Sequence, residues 1–177
     1  MPCSRPDRLA RAALLALGLL LAAPARAGEA LPARVQASVF KRIFAYDPVL
    51  RAQPRIKVLV LHGRLSAERA AEVVAAFEAE GLAASQSEVD LPTGALDDAT
   101  VLYALPDVPQ VPLAELASGH RLLTLSGEAE AAEKGRVAVA LGRSPGGQPE
   151  ILVHLTRLAA DGHELSARLL RLAKVMP

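Results

Sequence analysis

Few residues of this chain could do chemistry, and the best placed lie in one short run, His62-Gly63-Arg64-Leu65-Ser66. The run follows an apolar stretch, Val58-Leu59-Val60-Leu61, that reads as a strand, and open α/β sheets gather their ligands at the carboxyl ends of strands. An imidazole, a guanidinium and a hydroxyl at such a place can bind a polar small molecule. Catalysis would further need a nucleophile held by a base and an orienting acid, and no such set is spelled out. Ser66 reads more simply as a helix cap and His62 as a loop residue. No G-x-S-x-G is present, and Gly63 alone does not make a phosphate-binding loop.

The other reactive types are scattered. The histidines His62, His120, His154 and His163 share no H-x-H or H-x-x-x-H spacing that would point to a metal. His154 reads as a strand residue, and His120 and His163 as solvated turn residues. Glu128, Glu130 and Glu133, and Asp97 with Asp98, read as solvated helix starts and loops. The expectation is therefore of no catalytic residue, no metal and no cofactor. If a small ligand binds, the candidates are His62, Arg64, Ser66, Asp107 and Ser126, all near strand ends.

The compartment in which these residues act is indicated by residues 1–27. Arg5, Arg8 and Arg11 precede an apolar run that ends in Ala25-Arg26-Ala27, the pattern of a secretory signal peptide cut after Ala27. Arg11 and Arg26 bracket only 14 residues, fewer than the roughly 18 to 20 that a membrane span requires. Cys3 is the only cysteine, so the expected mature chain, residues 28–177, has neither disulfide nor thiol. That mature chain holds 16 Lys and Arg against 18 Asp and Glu, a formal charge of minus two, which argues against a nucleic-acid partner.

A length of 150 residues suits one domain. Val35, Val39, Phe40, Ile43 and Phe44 have helical spacing, and Asp47-Pro48 stops the helix. The unalternated strand at 58–61 predicts cover on both faces, hence a parallel sheet. Ser66 to Gly81 predicts an alanine-rich helix. Further strands are expected in LAASQSEVD, ATVLYALP and HRLLTLSG, with helices in VPLAELASG and EAEAAEKG. RVAVALG and EILVHLTRL flank the turn Ser144-Pro145-Gly146-Gly147, so an antiparallel hairpin is expected at one edge. Finally Leu165, Leu169, Leu172 and Met176 share one face at 100° per residue, which predicts a C-terminal helix docked on the sheet. The whole reads as a single-domain α/β fold, a mostly parallel sheet flanked by helices.

With its leader, VQASVFKRIFAYDP, the strand KVLVL, TVLYAL, RLLTLSG, GRVAVAL and EILVHLTRLAADGHELSARLLRLAKV in that order, the chain resembles the YfiR family of secreted bacterial proteins. The likeness is most specific in the last third, where Leu155, Ala159, Gly162, Leu165, Ser166, Leu169, Leu170, Leu172 and Ala173 match the family's pattern. The resemblance implies a periplasmic α/β domain without enzymatic activity. Its best-known members repress a membrane-bound diguanylate cyclase by binding the periplasmic sensor domain. They carry disulfides and a Trp-Pro pair after the first helix, whereas this chain has no mature cysteine and reads Tyr46-Asp47-Pro48. Redox control therefore does not carry over.

Two functions follow as expectations. One is a regulator in the periplasm that binds an inner-membrane diguanylate cyclase or another sensor protein, with a homodimer left open. The alternative is a periplasmic small-ligand binding domain that uses the carboxyl ends of the strands.

Overall fold

A computed structural model describes residues 30–89, 96 and 98–177. The expected signal peptide and Asp97 lie outside the described residues. No helix among them is long and apolar enough to cross a membrane.

Helix α1 (Ala33–Phe44) opens the domain, followed by a single turn, α2 (Pro48–Arg51). Then come β1 (Lys57–His62), α3 (Ala67–Ala79), β2 (Ala83–Glu88) and β3 (Val101–Ala104). They lead to α4 (Gln110–His120), β4 (Leu123–Ser126), α5 (Ala129–Glu133) and β5 (Val139–Arg143). The last third holds β6 (Pro149–His154), α6 (Leu155–Ala160), α7 (Ala167–Leu170) and β7 (Lys174–Met176).

The strands form one seven-stranded sheet in the order β2-β1-β3-β4-β5-β6-β7. Strands β1 to β5 are parallel, β6 is antiparallel to β5, and β7 is parallel to β6. Alternate strand residues feed two separate cores. Val58, Val60, Val101, Tyr103, Leu123, Leu125 and Val139 face Phe40, Ile43 and Phe44 of α1, Val73 and Phe77 of α3, Leu158 of α6 and Leu169 of α7. Leu59, Leu61, Leu102, Ala104, Ala140 and Leu152 face Leu113 and Ala117 of α4 and Ala132 of α5. Apolar residues on both faces explain why β1 and β3 show no alternation. The expected α/β fold is the observed one.

Two details differ. The antiparallel pair is not the edge, because β7 adds a further strand beyond β6. The expected C-terminal helix is only the turn α7; Leu165 and Leu169 dock in the core, but Leu172 is 72% exposed and Met176 sits in β7. The edge of β6 offers backbone donors and acceptors, and β7 satisfies them, which a further helical turn would not. Likewise EILVHLTRL splits between β6 and α6, with His154 accepting from the Arg157 N–H as the cap between them.

Candidate functional site

In this strand order β1 is flanked by β2 on one side and β3 on the other, so the chain reverses its winding at β1. The loops after β1 and β3 leave in opposite directions there and open a crevice at the carboxyl ends, the usual ligand position of such sheets. Four of the five candidate residues come from these two loops and their flanks.

The crevice is bridged by the protein itself. The Ser66 hydroxyl donates to the Asp107 carboxylate, 2.7 Å from each oxygen. A Cβ on Gly63 would fall 2.4 Å from Asp107 Oδ2, so the glycine is what lets the carboxylate lie on this backbone. Partial burial pushes the Asp107 carboxyl up. Hydrogen bonds from Ser66 and from the Gly63 and Asp107 backbone N–H groups, with His62 close by, outweigh it and hold the carboxyl below its ordinary range. Ser66 thus occupies the N-cap position of α3 without capping through its side chain, which is spent on Asp107.

The other candidates are engaged elsewhere. His62 is buried at the end of β1 rather than in a loop, and its Nδ1 lies 2.8 Å from the Gly63 carbonyl; a carbonyl only accepts, so that nitrogen donates. Arg64 Nε donates to Glu88 at 3.1 Å on the surface. Ser126 is buried and donates to the Ala104 carbonyl at 3.1 Å. The structure therefore brings Ser66 and Asp107 together and does not converge the rest. Arg136 closes the neighbouring mouth by donating to the Pro106 carbonyl at 3.3 Å and to that of Val108, and the space left beside Leu105, Ser126 and Glu128 is about 50 Å³. Small-molecule pockets run to roughly 300 Å³ and above.

Beside this crevice, Tyr103 lies between Phe40 and Phe77 in edge-on contacts, with ring centroids at 6.0 and 5.9 Å. Its hydroxyl donates to the Gln36 carbonyl oxygen, and the Gln36 amide in turn donates to the Leu31 carbonyl. Burial pushes the Tyr103 phenol well above its ordinary range. It is a structural donor here, not an acid.

The opposite end of the sheet holds a buried polar system that the sequence reading missed. His163, expected to be solvated, is 3% exposed; its Nδ1 is 2.7 Å from Asp47 Oδ2 and its Nε2 is 3.1 Å from the Arg121 carbonyl. The other Asp47 oxygen caps α2 by accepting from the Val49 and Leu50 N–H groups, at 2.8 and 3.2 Å. The signal was present in Asp47-Pro48: an acid before proline ends one helix but also starts another. Nearby, Asp161 accepts from the Thr124 N–H at 3.1 Å and from its hydroxyl, and Arg157 lies 2.6 Å from its other oxygen. Burial raises the Asp161 carboxyl despite these partners. Among the described residues no group of His, Cys, Asp and Glu is arranged to hold a metal ion.

No protein-family model and no curated protein matches this sequence. Solved structures that share the fold include two. One is the ABC domain in complex with L-Trp from Streptococcus pneumoniae, with a TM-score of 0.58 and 11% identity over 82% of this chain. The other is a conserved domain protein from Vibrio cholerae O1 biovar El Tor, with a TM-score of 0.58 and 12% identity over 82% of this chain. This chain spans 60% of the length of each. At such identities the likeness is one of fold, an α/β domain of the kind that also occurs in a ligand complex.

Proposed function

We propose that this protein is a non-enzymatic regulator, exported to the periplasm through a cleaved leader, that binds the periplasmic part of an inner-membrane protein and represses it. The resemblance of the last third to the YfiR family supports a diguanylate cyclase as that partner. One observation carries the preference for a protein partner over a small ligand: the crevice between the loops after β1 and β3 is bridged by the chain's own Ser66 and Asp107, and the space beside Leu105 and Ser126 is only about 50 Å³. Repression then works as a binding equilibrium that favours the partner's inactive state.

Deleting the gene is expected to raise cyclic di-GMP and surface attachment, and the full-length chain should reverse both. A version lacking residues 1–27 should fail to complement. Complementation by that version, or unchanged cyclic di-GMP in a strain that carries the cyclase, would overturn the reading.

A second reading, binding of a small ligand at the strand ends, is favoured by the shared fold with an L-Trp complex. At the crevice between the loops after β1 and β3 it requires Asp107 to move off Gly63 and Ser66. Calorimetric titration with L-Trp and other amino acids decides it: saturable heat that Asp107→Ala strengthens supports this reading, and its absence leaves the regulator.

A further inference from the structure

A second opening lies at the amino ends of the parallel strands, opposite the crevice bridged by Ser66 and Asp107. It measures about 480 Å³ and is lined by Leu50, Gln53, Arg55, Thr100, His120 and Arg121, with His163 behind them. The floor is buried and the rim is basic: Leu50, Leu122 and His163 are nearly inaccessible, whereas Arg55, His120 and Arg121 are exposed. One acid, Asp98, shares the rim, and Lys57 neutralises it at 3.4 Å. Among the described residues neither Arg55, nor the His120 ring, nor the Arg121 guanidinium has an ion-pair or hydrogen-bond partner.

Arg121 also adopts a conformation that an arginine does not choose for itself. It follows α4 with φ 53 and ψ 52, the left-handed region, where helices normally place glycine. Two contacts hold it there. Its carbonyl accepts from His163, and its side chain crosses Gly162, where an added Cβ would meet Arg121 Nε at 3.0 Å. The Ala117 carbonyl accepts from both the Arg121 and Leu122 N–H groups, which closes the end of α4. The left-handed turn also ends α4, and so fixes where the Arg121 side chain leaves the helix.

We propose that this cavity binds a small oxyanion, a phosphate or a carboxylate on a compact body, through the guanidinium groups of Arg121 and Arg55 with His120 at the rim. Its volume fits a small molecule, and planar guanidinium groups suit both oxyanions. The site is independent of the repressor reading, since it lies at the other end of the sheet from the crevice bridged by Ser66 and Asp107.

The experiment is calorimetric titration of the full mature domain with inorganic phosphate and, separately, with succinate, at constant ionic strength set by chloride. At least one is expected to bind saturably. Binding by phosphate alone identifies a phosphoryl ligand, and binding by succinate alone a carboxylate. Arg121→Gly and Arg55→Gln should each weaken binding about tenfold or more, while Arg168→Gln, which does not line the cavity, should not. Glycine is at ease at this φ, so Arg121→Gly should melt no lower than the parent. If it does melt lower, Arg55→Gln alone decides, because that side chain carries no structural contact. No saturable heat with either anion, unchanged affinity in Arg55→Gln, or equal loss in Arg168→Gln would overturn the proposal.

Discussion

His163 and Asp47, 116 residues apart in sequence, meet at 2.7 Å in the interior, and the contact ties the segment before α7 to the turn between α1 and α2. The neighbouring bond from the Ser166 N–H to the Tyr46 carbonyl, 3.0 Å, doubles the tie. Removing one member of a buried, hydrogen-bonded pair costs about 1 to 3 kcal/mol, because the other is left without its partner. His163→Ala is therefore expected to lower stability by that order. Asp47→Ala should cost more, since it also strips the cap of α2. Urea unfolding measures both, and equal small losses would show that the pair is not a structural tie.

Two leucines of the C-terminal segment should separate sharply. Leu169 is 3% exposed and Leu172 is 72% exposed. Leu169→Ala is expected to cost about 2 to 5 kcal/mol and Leu172→Ala within about 0.5 kcal/mol. Similar losses at the two sites would restore the longer docked helix in place of β7.

Gly162 sits at φ +77 with Arg121 laid across it. Gly162→Ala should cost on the order of 1 to 2 kcal/mol from backbone strain plus the contact with Nε. The contact part should vanish when Arg121→Gly is present, leaving only the backbone part. A double-mutant cycle reads the difference, and strict additivity would mean that the two residues do not touch.

Ser66→Ala should act through pH. The Asp107 carboxyl is held below its unfolded value, near 3.9, so its stabilising effect is present above about pH 4 and is lost as pH falls through the folded value. Removing the Ser66 hydroxyl takes away one of the bonds that hold it down. The variant is expected to be less stable by up to about 1 kcal/mol at neutral pH, a small figure because the carboxylate is largely exposed, and to converge with the parent in acid. A difference that persists at pH 2 would assign the loss to something other than this carboxylate.

The parallel part of the sheet was legible because its information is local. Val58 to Leu61 is a strand whatever lies around it, and the glycines and prolines between segments mark the loops. The C-terminal segment was not, because Leu165, Leu169, Leu172 and Met176 satisfy a helical period while the open edge of β6 decides in favour of a strand at Lys174. At the candidate site the sequence located the right loops but could not show that Asp107 fills the space between them, a contact 41 residues apart. His163 failed for the same reason: a histidine in a turn is solvated unless a distant acceptor waits for it, and Asp47 was that acceptor.

The tie between His163 and Asp47 also bears on how the domain comes apart. Closing so long a stretch of chain is entropically costly and is rewarded only once both ends are already placed, so the contact belongs late on the folding path, after β1, α3 and β2 have found each other locally. Interactions formed after the transition state leave the folding rate almost untouched and act on escape from the native basin. Loss of His163 should then appear in a chevron as a faster unfolding limb beside an unmoved refolding limb. The slowness of that escape is the property the buried histidine supplies.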